Sequence, residues 1–500
     1  MKKKKMLALI LTVSTFIAAL GGCGGSPDAG GNSQTGDGEG SVSADGGGDS
    51  AQTDAGNDSQ AADAGGSKDP ITLTWQYNAT VDVAPYVDAF TKSYEEKTGI
   101  PVKIEMTATG EDWLDTTKTA VAAGVGPDIW NMDVNWMSSW KDTVIQPVSN
   151  YLDPEVFDGY VPQGIDLWKS GDDYYALPVT FSVVAFVYNK DLTDEIGLDM
   201  SKTWTFEEFE SYLAAAEAYL KDKTVEYTDG ESYPYYLLGA NHTMYYWWLL
   251  VGVYGGTPLC DTNNIAQEAF VNGILKIAEW RSKGYSAQQV NPGGTQAAFS
   301  DACNVLFWPT GDWTITGLTR LPLGIESEPL PLNVNYASIA APLGQDGKSH
   351  TEVYNQGMVM NKNLEGEKAK AAAEFIKYMT VDVWREVYGP DTYNYCLPGK
   401  TDLLAEYPTW LPEEQHGIGF LDTLEKGIIH SPDYQAGGID LTSSVHNVLE
   451  AAYAEVEANG YDEAALRAMI TEKLEAEQAL INVQLEENEI ELDNPDAKVK

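Results

Sequence analysis

An α/β fold is the class this sequence predicts, and three observations predict it. Strand-like and helix-like segments alternate from residue 71 onward, the helical segments carry one apolar face each, and Gly or Pro punctuates their ends. Together they argue for an open, mostly parallel sheet with helices on both faces. About 430 residues follow Pro70, enough for two domains or two large lobes.

Each element has its own signal. ITLTWQY (71–77) alternates as a strand. From Pro85 to Thr98, Tyr86, Phe90 and Tyr94 recur four apart, one face of an amphipathic helix that Gly99 stops. PVKIEM (101–106) is the next strand, Trp113 to Ala123 the next helix, and PDIWNM (127–132) a third short strand after the Gly126-Pro127 turn. A long β-rich run spans 174–192. Thr205 caps the following helix with Glu208 three residues on, a capping box. Ile265 to Lys283 is a helix ended by Gly284, NVLFWPTGDW (304–313) a strand entering a Gly turn, ASIAAPL (337–343) another strand, and Ala369 to Met379 a helix. Ser443 to Leu485 is helical with a break at Asn459-Gly460, and its many acids form a solvated face.

The first residues precede the fold. Lys2 to Lys5 form a basic region and Met6 to Leu20 an apolar stretch of about fifteen residues, too short for a comfortable membrane span. Leu20-Gly21-Gly22-Cys23 resembles the bacterial lipobox, which implies a signal peptide over 1–22 and lipidation of Cys23. Two or three acyl chains anchor stably where one would be marginal. Residues 24–69 are mostly Gly, Ser, Ala, Asp, Asn and Gln without an aromatic residue, so 23–69 reads as a lipidated cysteine and a disordered leash. A flexible chain of about 45 residues has a root-mean-square reach of roughly 35–40 Å. The expected location is the extracellular side of a bacterial cytoplasmic membrane.

The formal net charge is −44 although four lysines sit in the leader. Such a field repels polyphosphate, which excludes nucleic acid as a partner, and self-repulsion favours a soluble monomer. Cys260, Cys303 and Cys396 lack CxxC spacing and are expected as buried thiols, with a Cys260–Cys303 disulfide the alternative. The five histidines are scattered, without HExxH, and GxSxG and P-loop motifs are absent, so neither a metal nor a cofactor is expected.

The order of landmarks resembles the extracellular solute-binding proteins of ABC sugar importers, the family that includes maltose-binding protein. The matching stretches are FTKSYEEKTGIPVKI (90–104), AAGVGPDIWNMD (122–133), YYALPVTFSVVAFVYNKDL (174–192), TWTFEEFE (203–210), AFSDACNVLFWPTGDW (298–313), IAAPLG (339–344) and KAKAAAEFIKYM (368–379). The resemblance implies two lobes joined by a hinge, with lobe 1 over 71–184 plus 335–392 and lobe 2 over 185–334 plus 393–490. It also implies a ligand cleft between the lobes and a membrane permease as partner. Open α/β sheets independently place ligands beyond the carboxyl ends of their strands.

A sugar presents C–H faces and a belt of hydroxyls, so its site needs aromatic plates beside carboxylates and amides. Four segments carry that chemistry. At the end of the first strand lie Trp75, Tyr77 and Asn78; beyond the third strand lie Asp133, Asn135 and Trp136, with Trp130 read as core. Asp312 and Trp313 follow the Gly311 turn, and Trp313 holds the position of the family's stacking aromatic. Trp247 stands in a helical run of four aromatic residues. Three shorter segments, Glu111-Asp112-Trp113, Tyr354-Asn355 and Tyr393-Asn394-Tyr395, contribute Asp112, Asn355 and Tyr395. Ser182 stands where maltose-type relatives carry a glutamate, which argues against maltose itself.

The expected function is therefore capture of a carbohydrate, an oligosaccharide in particular, for delivery to an ABC permease, without catalysis. A polyamine or peptide ligand is the alternative within the same fold. Arginine is too scarce (Arg281, Arg320, Arg385, Arg467) for a phosphate-reading cluster. A tethered glycoside hydrolase would need a carboxylate pair, and 75 acids supply pairs without any supporting motif.

Overall fold

A computed structural model describes residues 69–77, 82–108, 113–141, 143–227, 230–239, 243–257, 262–286, 298–319, 334–392, 394–430, 435–436 and 439–487. The expected leader, Cys23 and the leash lie outside them. Local signals set the helix ends. Helix Ala84–Thr98 closes on Gly99, whose φ of 69° suits glycine and whose N–H donates to Glu95 O at 2.8 Å. Helix Phe206–Leu220 opens on the expected box: Thr205 Oγ1 accepts the Glu208 N–H at 3.2 Å and Glu208 Oε2 accepts the Thr205 N–H at 3.0 Å. The C-terminal helical region divides at Asn459-Gly460 into Leu441–Asn459 and Glu463–Glu487.

One ten-stranded sheet runs through the whole body. Its order is Tyr236–Leu238, Val305–Gly311, Ala176–Asn189, His350–Asn361, Ile129–Asp133, Ile71–Tyr77 and Val102–Ala108, with Tyr336–Ile339, Ile428–His430 and Ile145–Gln146 on side branches. Both flanks are parallel, as expected. The centre is not. The two long strands, Ala176–Asn189 and His350–Asn361, pair antiparallel with each other and with Val305–Gly311 and Ile129–Asp133. A chain that crosses between two bodies and later returns must run antiparallel to itself, so the expectation of a mostly parallel sheet fails at the crossing.

Apolar burial separates two cores on either side of it. The first gathers Trp75, Phe90 and Phe375 beneath helices Ala84–Thr98 and Gly366–Lys377. The second gathers Trp204, Phe209, Trp280 and Phe307 with the faces of Glu268–Ser282, Leu441–Asn459 and Glu463–Glu487. Each such buried ring stabilises by roughly 1.5–3 kcal/mol. A third cluster, with Phe181, Val183, Trp308, Tyr407 and Phe420, fills the crossing.

Strand Tyr336–Ile339, assigned to lobe 1 from the sequence, pairs with the Phe186–Asn189 end of the first long strand, and Ala337 and Ile339 pack in the second core. Its place follows the partner strand rather than its position along the chain.

Candidate functional site

The two long strands are almost wholly buried. Thr180 is the one position of Ala176–Asn189 that is not, and Tyr354 and Gln356 are the two of His350–Asn361. In Ile129–Asp133 the one partly open residue is Asp133. Pairing brings these openings together: Gln356 stands opposite Asp133 on one side and Thr180 on the other. Paired residues share a face of a sheet, and so do residues two apart in a strand. Asp133, Gln356, Thr180 and Tyr354 therefore form one open polar strip in an otherwise closed floor.

Trp313 completes it. Strand Val305–Gly311 ends with Gly311 opposite Val184, and Trp313 opens helix Trp313–Thr319. The indole folds back over Gly311 so closely that a Cβ there would lie 1.9 Å from the ring, so glycine is required. The half-buried Trp313 ring meets Tyr354 edge to face, 5.3 Å between centroids and 85° between planes. The Tyr354 hydroxyl donates to Glu352 Oε1 at 2.6 Å, and Glu352 is fully buried. The arrangement offers an aromatic plate, a phenol, a carboxylate, an amide and a hydroxyl on neighbouring positions.

Burial raises the Asp133 carboxyl above the ordinary aspartate range, and the Gln356 side chain pulls it back by hydrogen bonding. Burial also pushes Asp312 up to about 7, against hydrogen bonds from Ser182 and from backbone N–H groups. Asp312 Oδ2 accepts the Leu397 N–H at 2.5 Å, and Leu397 O accepts the Phe181 N–H at 3.1 Å. Asp312 thus ties the end of Val305–Gly311 to the 394–399 segment and the first long strand, beside Ser182 and the Cys396 thiol, itself pushed up by burial.

The other sequence candidates fall into place around this. Asp312 and Ser182, both expected to contact ligand, are buried in that knot. Asn355, also expected at the ligand, lies on the opposite face from Tyr354, accepts from Trp168 Nε1 at 3.0 Å and donates to Gly164 O at 2.8 Å. Trp75 is fully buried against Phe375, with half-buried Tyr77 beside it at 5.3 Å, both in the first core. Tyr395 is buried in the third cluster, where its carbonyl accepts the Tyr407 hydroxyl at 2.9 Å. Trp130 is fully buried, as expected of core.

Asn135 and Trp136 are half-buried in a 3-10 turn after Asp133, with Trp136 packed 6.3 Å from Trp140. Asn78, Asp112 and the Trp247 side chain lie outside the described residues. Cys303 and Cys396 are free thiols, so Cys303 is not half of a disulfide; Cys260 lies outside the described residues. Sequence reasoning missed Thr180 and Gln356 and preferred Asn355 to its neighbour Tyr354. The stretch HTEVYNQGMVMN has no clean alternation to betray a buried strand, and only its pairing reveals the phase.

Comparison with known proteins agrees with this architecture. A model of the bacterial extracellular solute-binding protein family matches residues 78–384. The maltotriose-binding protein of Pyrococcus abyssi is 27% identical over 85 residues, 17% of this chain and 19% of that protein, so the chain matches under a fifth of its length. Two solved structures share the two-lobed fold. An ABC substrate-binding protein from Listeria monocytogenes, in complex with cycloalternan, superposes with a TM-score of 0.59 at 16% identity, covering 84% of this chain and 99% of that one. UgpB from Mycobacterium tuberculosis, in complex with glycerophosphocholine, gives 0.60 at 15%, again covering 84% and 99%.

Proposed function

This chain belongs to the bacterial extracellular solute-binding proteins, and on that premise we propose that it captures an oligosaccharide in the cleft floored by the Thr180, Gln356, Asp133 and Tyr354 strip. The observation that carries the reading is the Trp313 plate standing against Tyr354 at the end of that strip. An indole face covers the C–H surface of a pyranose or furanose, while the adjoining carboxylate, amide and hydroxyls accept and donate to its hydroxyl belt. Cycloalternan in the Listeria neighbour and maltotriose in the Pyrococcus relative's name support a carbohydrate.

The remaining features extend the proposal. Cys23 bears the lipid, residues 24–69 tether the body to the outer face of the cytoplasmic membrane, and the loaded body delivers its ligand to an ABC permease without chemical change. Asn135 and Trp136, just beyond Asp133, line its margin in this reading. A second reading, an organic cation, draws on the Trp313–Tyr354 pair beside Asp133 and on glycerophosphocholine in the neighbour from Mycobacterium.

Thermal unfolding of the full chain against neutral trisaccharides, polyamines and glycerophosphocholine separates these. A ligand at a hundred times its Kd stabilises by about 2.7 kcal/mol. A rise in Tm with a trisaccharide, lost in Trp313→Ala, is the expected result. A rise with only the cations would replace the carbohydrate by the second reading.

A further inference from the structure

Within the strip, Asp133 is the only carboxylate, and its surroundings are unusual for one. Strand position places Asn131, Asp133 and Ile129 on one face, with Gln356 opposite Asp133 and Met358 opposite Asn131. The Gln356 amide opposite it counters the burial that raises the carboxyl, and no Lys or Arg forms an ion pair with Asp133 among the described residues. Asn131 is 7% exposed, and the Tyr388 hydroxyl lies against its carboxamide while donating to the Met358 sulfur at 3.9 Å.

Resting on the carbohydrate reading above, we infer that Gln356 and Asp133 set specificity within it: Gln356 holds the Asp133 carboxylate as an acceptor for ligand hydroxyls, and that unpaired negative charge turns away acidic saccharides. Asp133 touches the ligand, and Gln356 positions it. The physical reasoning is direct. A carboxylate held by a neutral amide keeps its charge and its spare lone pairs for hydroxyl donors. A uronate brought beside it would set two like charges in a partly desolvated place, with no arginine or lysine paired to Asp133 among the described residues to offset them.

The test titrates the full chain by calorimetry with maltotriose, arabinotriose and cellotriose as neutral probes and trigalacturonate as the acidic one, between about pH 4 and pH 8. At neutral pH the wild-type chain binds at least one neutral probe, and trigalacturonate at least about a hundredfold more weakly. Asp133→Asn weakens the neutral probe about tenfold and narrows the discrimination against trigalacturonate to less than about tenfold. Gln356→Leu weakens the neutral probe and moves its loss of affinity on acidification to higher pH, because the carboxyl loses the amide that lowered its pKa. Gln356→Asn, which keeps an amide, recovers part of that shift, and Thr180→Ala leaves the pH profile in place.

Three outcomes overturn the inference while leaving the carbohydrate reading standing. They are tight binding of trigalacturonate by the wild-type chain, undiminished discrimination in Asp133→Asn, and an unmoved pH profile in Gln356→Leu. Failure of every trisaccharide to bind the wild-type chain removes both together.

Discussion

Two segments of this protein are built alike and end differently. PDIWNMDVNW and NVLFWPTGDW each carry one tryptophan inside a strand and a second just beyond its carboxyl end. The inner rings behave the same: Trp130 is 0% and Trp308 4% exposed. The outer rings do not. Trp136 follows a 3-10 turn and leans onto Trp140, with its indole N–H buried and unpaired among the described residues. Trp313 follows a bare glycine, folds back over it and stands against Tyr354 on the open strip. Being beyond a strand end exposes a ring; the turn that follows decides what it is exposed to.

The strongest way to break the comparison is through the inner rings. Trp130→Ala should lower stability by about 3–5 kcal/mol, read as a reduced midpoint in denaturant unfolding, while the surviving folded fraction keeps its ligand affinity. A large loss of affinity with little loss of stability would move Trp130 from core to site.

The acids next to the outer rings come second. Burial pushes the Asp312 carboxyl up to about 7 in the folded chain, well above an unfolded aspartate. The folded state then binds more protons between about pH 4 and 7, so stability falls as pH rises through that window, by about 2–4 kcal/mol. Asp312→Asn keeps an oxygen acceptor for the Leu397 N–H and should flatten that part of the stability–pH curve. An unchanged curve would show that the buried knot does not hold this carboxyl neutral.

Third, Trp313→Ala should cost about 1.5–3 kcal/mol of saccharide affinity, roughly ten- to a hundredfold by calorimetry, with the unliganded Tm little changed. The smallest effect belongs to Trp136→Phe. Removing a buried, unpaired N–H while keeping a ring should change stability by less than about 1 kcal/mol and affinity by less than about threefold. A tenfold loss of affinity there would make the two outer rings equals and return Trp136 to the ligand.

Much of the site was legible as a neighbourhood and not as a list. Trp313 and Asp133 are where the sequence put them, at strand ends in aromatic and amide company. Asn355 was preferred to Tyr354 because amides suit sugars, yet one residue of phase separates a half-open phenol from a buried amide bonded to Gly164 and Trp168. Trp75 has the right chemistry and sits at 0% exposure, since the helix that covers it, Gly366–Lys377, arrives from almost 300 residues later in the chain.

Taken alone, the sequence determined what neighbouring residues can settle. The capping box at Thr205 and Glu208, the left-handed stop at Gly99 and the break at Asn459-Gly460 are short-range physics, and each lies where it was expected. Only the tertiary structure decided which residues lie on the open strip. His350–Asn361 takes its phase from two strands that lie far away in the chain, and its pairing with Ala176–Asn189 shifts register between Gln356 and Gly357. The side-chain period of a strand is two, so that long-range pairing alone turns Tyr354 and Gln356 onto the open strip and Asn355 to the opposite face.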